Sequence, residues 1–135
     1  MSKFISNDII NTNIETMKEL ITPNYLHTCF PNNDKIAMFV KKNREEIRNI
    51  LNGEDKRKLM IVGPCSIHNT DMAKEYGREL LKIAEKYKDK IKIVMRVYFE
   101  KPRTTVGWKG LINDPDMNGT FNINKGLKMA RDLLL

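Results

Sequence analysis

Two periodicities alternate along the chain. Ile14-Glu-Thr-Met-Lys-Glu-Leu-Ile21 places apolar residues at helical spacing, and Thr22-Pro23 stops the pattern. A turn-rich connector then runs from Asn24 to Asn33. Asn33 or Asp34 can cap a longer helix, whose apolar positions Ile36, Phe39, Val40, Ile47, Ile50 and Leu51 follow a 3.6-residue period, with Asn43 as the one gap. Asn52-Gly53 ends it, glycine being common just past a helix. Leu59–Val62 is too short and too β-branched for a helix and reads as a strand, broken by Gly63-Pro64. Asn69, Thr70 or Asp71 can cap a helix over 71–88, with Met72, Tyr76, Leu80, Ile83 and Tyr87 as its apolar stripe. Gly77 interrupts that helix at about 1 kcal/mol relative to Ala, a cost that suggests close packing. Ile91-Lys-Ile-Val-Met95 reads as a buried strand. After a long loop, Asn122 or Asn124 can cap a last helix over 125–135.

Strands that alternate with amphipathic helices predict parallel pairing and an α/β fold. In such folds ligands bind beyond the carboxyl ends of the strands. The chemistry-bearing residues lie there. Arg96, Lys101 and Arg103 follow the second strand, with the hydroxyls of Thr104 and Thr105 beside them. Pro102 fixes its own φ and biases Lys101 towards an extended conformation. Arg offers a planar fork to carboxylate or phosphate, Lys a point charge and Thr a further donor, so the loop suits a small anion. The same residues are also compatible with a solvated basic loop. Cys65 follows the first strand and has two readings, a ligand or nucleophile and a small buried hydrophobe. Cys65-Ser-Ile-His68 has a metal-like spacing, but two ligands do not make a site. His27 and Cys29 lack further ligands nearby and read as ordinary packing residues.

Composition narrows the class. The 135 residues make one domain's worth at most, and 41% hydrophobic with 30% charged residues is globular. No apolar run reaches the length of a membrane span, and no signal-peptide core opens the chain, so a cytoplasmic location with reduced thiols at Cys29 and Cys65 is expected. The net charge of +7 invites a nucleic-acid reading. Against it, Lys and Glu are interspersed along Lys41–Glu46 and Lys82–Lys90, as on solvated helix faces, and the aromatics are not interleaved with a basic stripe. Neither nucleic acid nor membrane is expected as a partner.

Gly63-Pro-Cys-Ser-Ile-His68 and Lys101-Pro-Arg-Thr-Thr-Val-Gly-Trp-Lys-Gly-Leu-Ile-Asn-Asp-Pro115 together closely resemble the metal-dependent class I 3-deoxy-7-phosphoheptulonate (DAHP) synthases. The resemblance runs from about residue 19 to residue 135. It implies a transferase that condenses phosphoenolpyruvate with erythrose 4-phosphate, the first step of the shikimate route to chorismate and the aromatic amino acids. It implies a (β/α)8 barrel, which takes about 250 residues. Residues 1–57 would be a helical N-terminal extension, and residues 58–135 the first two β/α units of a truncated barrel. The resemblance makes Cys65 a ligand of a divalent metal whose other ligands, a His, a Glu and an Asp, would lie on later strands. It assigns Arg96 and Lys101 to phosphoenolpyruvate, and Arg103 and Thr104 to the phosphate of erythrose 4-phosphate. Beside two polyanions Lys101 is placed to offset charge and is a candidate proton donor. It gives His68 no ligand role. Trp108 reads as a packing anchor. Family members use the extension and the long loop in subunit contacts, so a homo-oligomer is implied, and the extension in feedback inhibition by an aromatic amino acid. Residues 1–18 match only loosely, which leaves the effector open.

Two other readings compete. The related 3-deoxy-octulosonate 8-phosphate synthases share fold and phosphoenolpyruvate, but their aldose loop lacks Lys-Pro-Arg-Thr-Thr, which stands here at 101–105. A catalytically inactive remnant, or a small phosphate-binding module of the same fold, is the other. On the leading reading these 135 residues alone are inactive.

Overall fold

The computed structural model describes residues 12–14, 17–100 and 106–135. Its elements run α1 (Pro23–Cys29), α2 (Asp34–Leu51), β1 (Lys58–Val62), α3 (Thr70–Lys86), β2 (Ile91–Met95) and α4 (Ile123–Leu133). Of the helix expected over 14–21, Ile14 and residues 17–22 are not helical, and residues 15 and 16 lie outside the described residues. The first helix starts where that pattern was expected to stop. Thr22 is its N-cap, accepting from the Tyr25 amide at 3.2 Å, and Pro23 takes the first helical position, where a missing N–H costs nothing.

The other starts follow the asparagines. The Oδ1 of Asn33 accepts from the Ile36 amide at 2.9 Å and that of Asn69 from Asp71 and Met72 at 2.9 and 3.0 Å. Asn122 opens α4 by accepting from Lys125 at 3.2 Å.

β1 and β2 pair in parallel with register Lys58↔Ile91 to Val62↔Met95, joined through α3. Among the described residues these two strands make the whole sheet. The expectation of a buried second strand is corrected: every residue of β2 is half-buried, because one edge and part of each face lack neighbours. The stripe of α3 is corrected too. Ala73, Gly77, Leu80 and Ala84 form its covered face, whereas Met72, Tyr76, Ile83 and Tyr87 are exposed. Small side chains let the helix lie close to β2; a Cβ added at Gly77 would come within ordinary contact of the Met95 sulfur.

The most tightly buried apolar cluster is not on the sheet. It joins Ile67, Ala73 and Leu111, with Val97, Phe99, Trp108, Met129 and Leu133 packed around them. Ile67 belongs to the loop after β1 and Leu111 to the loop after β2, so the core lies directly under the strand ends.

At the opposite end of the strands a charged network ties α2 to the sheet. The Lys92 ammonium bonds the Glu46 carboxylate at 2.8 Å and also the Asn43 side chain. Arg57 bonds Glu46 at 2.9 Å and Asp55 at 2.6 Å. The gap in the apolar pattern of α2 is therefore a polar contact to β2. Its partner Lys92, with burial opposing and Arg57 assisting, holds the Glu46 carboxyl below its ordinary 4.5. Arg57 lowers Asp55, and Asp55 and Glu46 raise Arg57.

Candidate functional site

Parallel register brings the two sequence blocks together. The Arg96 amide continues the ladder by donating to the Val62 carbonyl at 2.7 Å. Gly63 is required at this crossing: a Cβ there would stand 2.1 Å from the Arg96 carbonyl oxygen. The Arg96 side chain then reaches across the strand ends. Its Nη1 donates to the Pro64 carbonyl at 3.1 Å and its Nη2 to the Cys65 carbonyl at 3.3 Å. Its guanidinium carbon lies 4.6 Å from the centre of the Tyr98 ring. The Tyr98 carbonyl in turn accepts from the Ile67 amide at 2.8 Å. The end of β1 and the loop after it are thus held by the chain after β2 at four points: Val62, Pro64, Cys65 and Ile67.

Cys65 is exposed at the top of this loop, and neither it nor Cys29 is in a disulfide. His68 is exposed and remains a loop residue. Among the described residues no three His, Cys, Asp or Glu side chains gather to hold a metal ion. Cys65 offers one thiolate, which suits a transition metal or zinc, but a stable site needs about four donors. Among the described residues no such set of donors gathers around Cys65.

Lys101, Arg103 and Thr104 lie outside the described residues. The two ends of their loop do not. Glu100 and Gly110 form an antiparallel bridge, and the Leu111 amide donates to the Phe99 carbonyl at 2.8 Å. Gly110 has φ of +119°, and a Cβ on it would meet the Phe99 oxygen at 2.2 Å. The Asn113 amide donates to the Glu100 carboxylate. Beyond this base, Trp108 packs on the core cluster and its Nε1 donates to the Asp114 carbonyl at 2.6 Å, the anchoring expected of it.

Asp114 was missed by pattern reading. It is 6% exposed, and its Oδ2 accepts from the Gly119 amide at 3.1 Å, organising the second half of the loop. The Asn113-Asp114-Pro115 turn signal could have pointed to it. One Glu100 oxygen and one Asp114 oxygen are buried without a partner among the described residues. Gly126 was missed as well. It sits where a Cβ would come within 2.2 Å of the Ile112 oxygen, so α4 lies directly on this loop.

A cysteine and an arginine just past the carboxyl ends of adjacent parallel strands define an α/β protein of the strand-end-site type. The comparisons give the particular family. Residues 32–132 match the DAHP synthetase I family, and the chain belongs to it. The chain is 49% identical over 130 residues to the phospho-2-dehydro-3-deoxyheptonate aldolase of Haemophilus influenzae, covering 96% of this chain and 35% of that protein. It is 55% identical over 122 residues to the Phe-sensitive phospho-2-dehydro-3-deoxyheptonate aldolase of Escherichia coli K12, covering 90% of this chain and 35% of that protein. The solved phospho-2-dehydro-3-deoxyheptonate aldolase of Francisella tularensis superposes with a TM-score of 0.85 at 48% identity, over 90% of this chain and 37% of that one. The chain spans about 35% of the length of these curated relatives.

Proposed function

We propose that this chain is the leading part of a DAHP synthase, a transferase joining phosphoenolpyruvate to erythrose 4-phosphate, and that it carries the anion-binding face and one metal ligand of a (β/α)8 barrel. The observation that carries the reading is the joining of the two blocks: Arg96 and Cys65 meet at adjacent strand ends, through the Cys65 carbonyl at 3.3 Å. A simple phosphate-binding module has no need of a cysteine at the strand end next to the arginine.

In this reading Arg96 and Lys101 bind phosphoenolpyruvate, and Arg103 and Thr104 the phosphate of the aldose. The cations offset the repulsion between two polyanions and hold the reacting carbons side by side. Two of the Arg96 N–H groups are committed to loop carbonyls, and the rest of its fork serves the ligand. C3 of phosphoenolpyruvate bonds to the aldehyde carbon, water adds at C2, and inorganic phosphate leaves by C–O cleavage. Lys101 offsets the developing charge and donates a proton to the aldehyde oxygen. Cys65 would be one ligand of a divalent metal, which supplies Lewis-acid polarisation when bound; the remaining ligands come from outside this chain.

The barrel reading has its own support. Ile61, Leu81 and Phe39 are 63%, 65% and 62% exposed, and an open, mostly apolar cleft of about 570 Å³ lies between α2, α3, β2 and the end of α4. Further strands and helices would cover these surfaces. No helix among the described residues is long and apolar enough to cross a membrane. A cytoplasmic, homo-oligomeric enzyme restrained by an aromatic amino acid completes the proposal. The test is phosphate release by the full-length synthase. Release must require both substrates; release from phosphoenolpyruvate alone, or none, contradicts the reading.

A further inference from the structure

Tyr98 has no part in the reaction as set out above, yet both blocks depend on it. Its backbone carbonyl fixes the Ile67 amide at 2.8 Å, and its ring centre stands 4.6 Å from the Arg96 guanidinium carbon. Ile67 is 2% exposed, so this backbone bond is anchored in the core. The ring is the other wall of the slot that holds Arg96. Two carbonyls, Pro64 and Cys65, accept from the guanidinium nitrogens, and the aromatic face attracts the cation. An arginine held only by two carbonyl bonds at the strand ends could swing on its long stem. A ring over its plane removes that freedom, and a pre-oriented fork loses less on binding a planar carboxylate.

We propose that Tyr98 is a positioning residue of the phosphoenolpyruvate site, whose ring holds the Arg96 guanidinium against the loop of Cys65 so that the anion site and the thiol form one unit. The proposal rests on Arg96 being a phosphoenolpyruvate ligand. It requires the π face and not the phenol hydroxyl. It acts through Arg96, so removing the ring matters only while Arg96 is present.

The test uses the full-length synthase with Tyr98→Phe and Tyr98→Leu. Tyr98→Phe keeps the KM for phosphoenolpyruvate within about twofold. Tyr98→Leu raises it by about 3- to 30-fold, the range of one lost cation–π contact, and leaves the KM for erythrose 4-phosphate unchanged. An unchanged phosphoenolpyruvate KM in Tyr98→Leu, equal rises in both KM values, or failure of Tyr98→Phe alongside it overturns the proposal. Should Tyr98→Leu not fold, Tyr98→Met refills the volume without a ring. A second readout needs no turnover: the alkylation rate of Cys65, resolved by peptide mass spectrometry. Tyr98→Leu changes that rate in the Arg96 protein and adds nothing in an Arg96→Ala background. Additive effects overturn the slot. Absence of turnover in wild type instead defeats the synthase reading, and the alkylation cycle still decides the role of Tyr98.

Discussion

The Arg96 guanidinium donates to the Cys65 carbonyl oxygen at 3.3 Å, from 31 residues further along the chain. One side chain thereby ties the loop after β1 to the chain after β2. Arg96→Lys keeps a charge but loses the fork that bonds two carbonyls and still faces a ligand. We expect kcat/KM for phosphoenolpyruvate to fall at least about tenfold in Arg96→Lys, roughly the 1.4 kcal/mol of one charge-assisted bond. Lys101→Ala should harm phosphoenolpyruvate use and turnover. Arg103→Ala should chiefly raise the KM for erythrose 4-phosphate. Steady-state kinetics in each substrate separates these, and equal effects of all three on both substrates would sink the division of labour.

Two helical glycines should respond in opposite directions. In a helix Gly→Ala gains up to about 1 kcal/mol from propensity. At Gly77 the nearest atom to a new Cβ is the flexible Met95 sulfur at 3.5 Å, an ordinary contact, so Gly77→Ala should stabilise. At Gly126 the same Cβ would meet the Ile112 oxygen at 2.2 Å and the Leu111 oxygen at 2.6 Å, both backbone. Gly126→Ala should cost more than about 2 kcal/mol, because α4 must move off the loop. Urea unfolding of the two variants of the full-length protein decides it; a stabilised Gly126→Ala would show that the helix does not lie so close.

The Glu46 carboxyl, held below its ordinary 4.5 chiefly by Lys92, gives a pH prediction. Its proton binds more tightly in the unfolded chain, so its contribution to stability is fully present above 4.5 and is lost as pH falls through the lower folded value. Glu46→Gln should therefore cost about 1–2 kcal/mol at neutral pH, and the deficit should shrink below pH 4.5. A deficit independent of pH would mean that the side chain serves only as a neutral hydrogen-bond partner.

Local chemistry was legible in the sequence. Asn33, Asn69 and Asn122 cap their helices through contacts two or three residues away, and both strands run where β-branched residues cluster. Pro23 was read as a stop because proline breaks helix interiors; at a first position the same ring starts one. On α3 Leu80 lies on the covered face as expected, but the rest of that face is Ala73, Gly77 and Ala84, and the other bulky residues of the expected stripe are exposed. Partners far apart in sequence were beyond reach. Nothing near Asn43 marks it as the acceptor for Lys92, nor Tyr98 as the wall beside Arg96. The chemical types at the strand ends were read from the motifs, and their meeting came only with the parallel register.

Residues 1–135 alone should behave poorly. Among the described residues the two strands leave an edge open on each side, and Ile61 and Leu81 are exposed by 63% and 65%. The isolated segment should aggregate or melt broadly, and release no phosphate from the two substrates. A monomeric segment with a sharp calorimetric transition would show a self-sufficient fold.

We propose above all that Cys65, with the Arg96 bonded to its carbonyl, forms part of a metal-dependent condensing site. Metal-dependent phosphate release by the full-length synthase, wild type against Cys65→Ala, tests it most directly. The account predicts turnover in wild type that a chelator abolishes and added divalent metal restores, and none of either kind in Cys65→Ala. Near-normal, chelator-sensitive turnover in Cys65→Ala would contradict it.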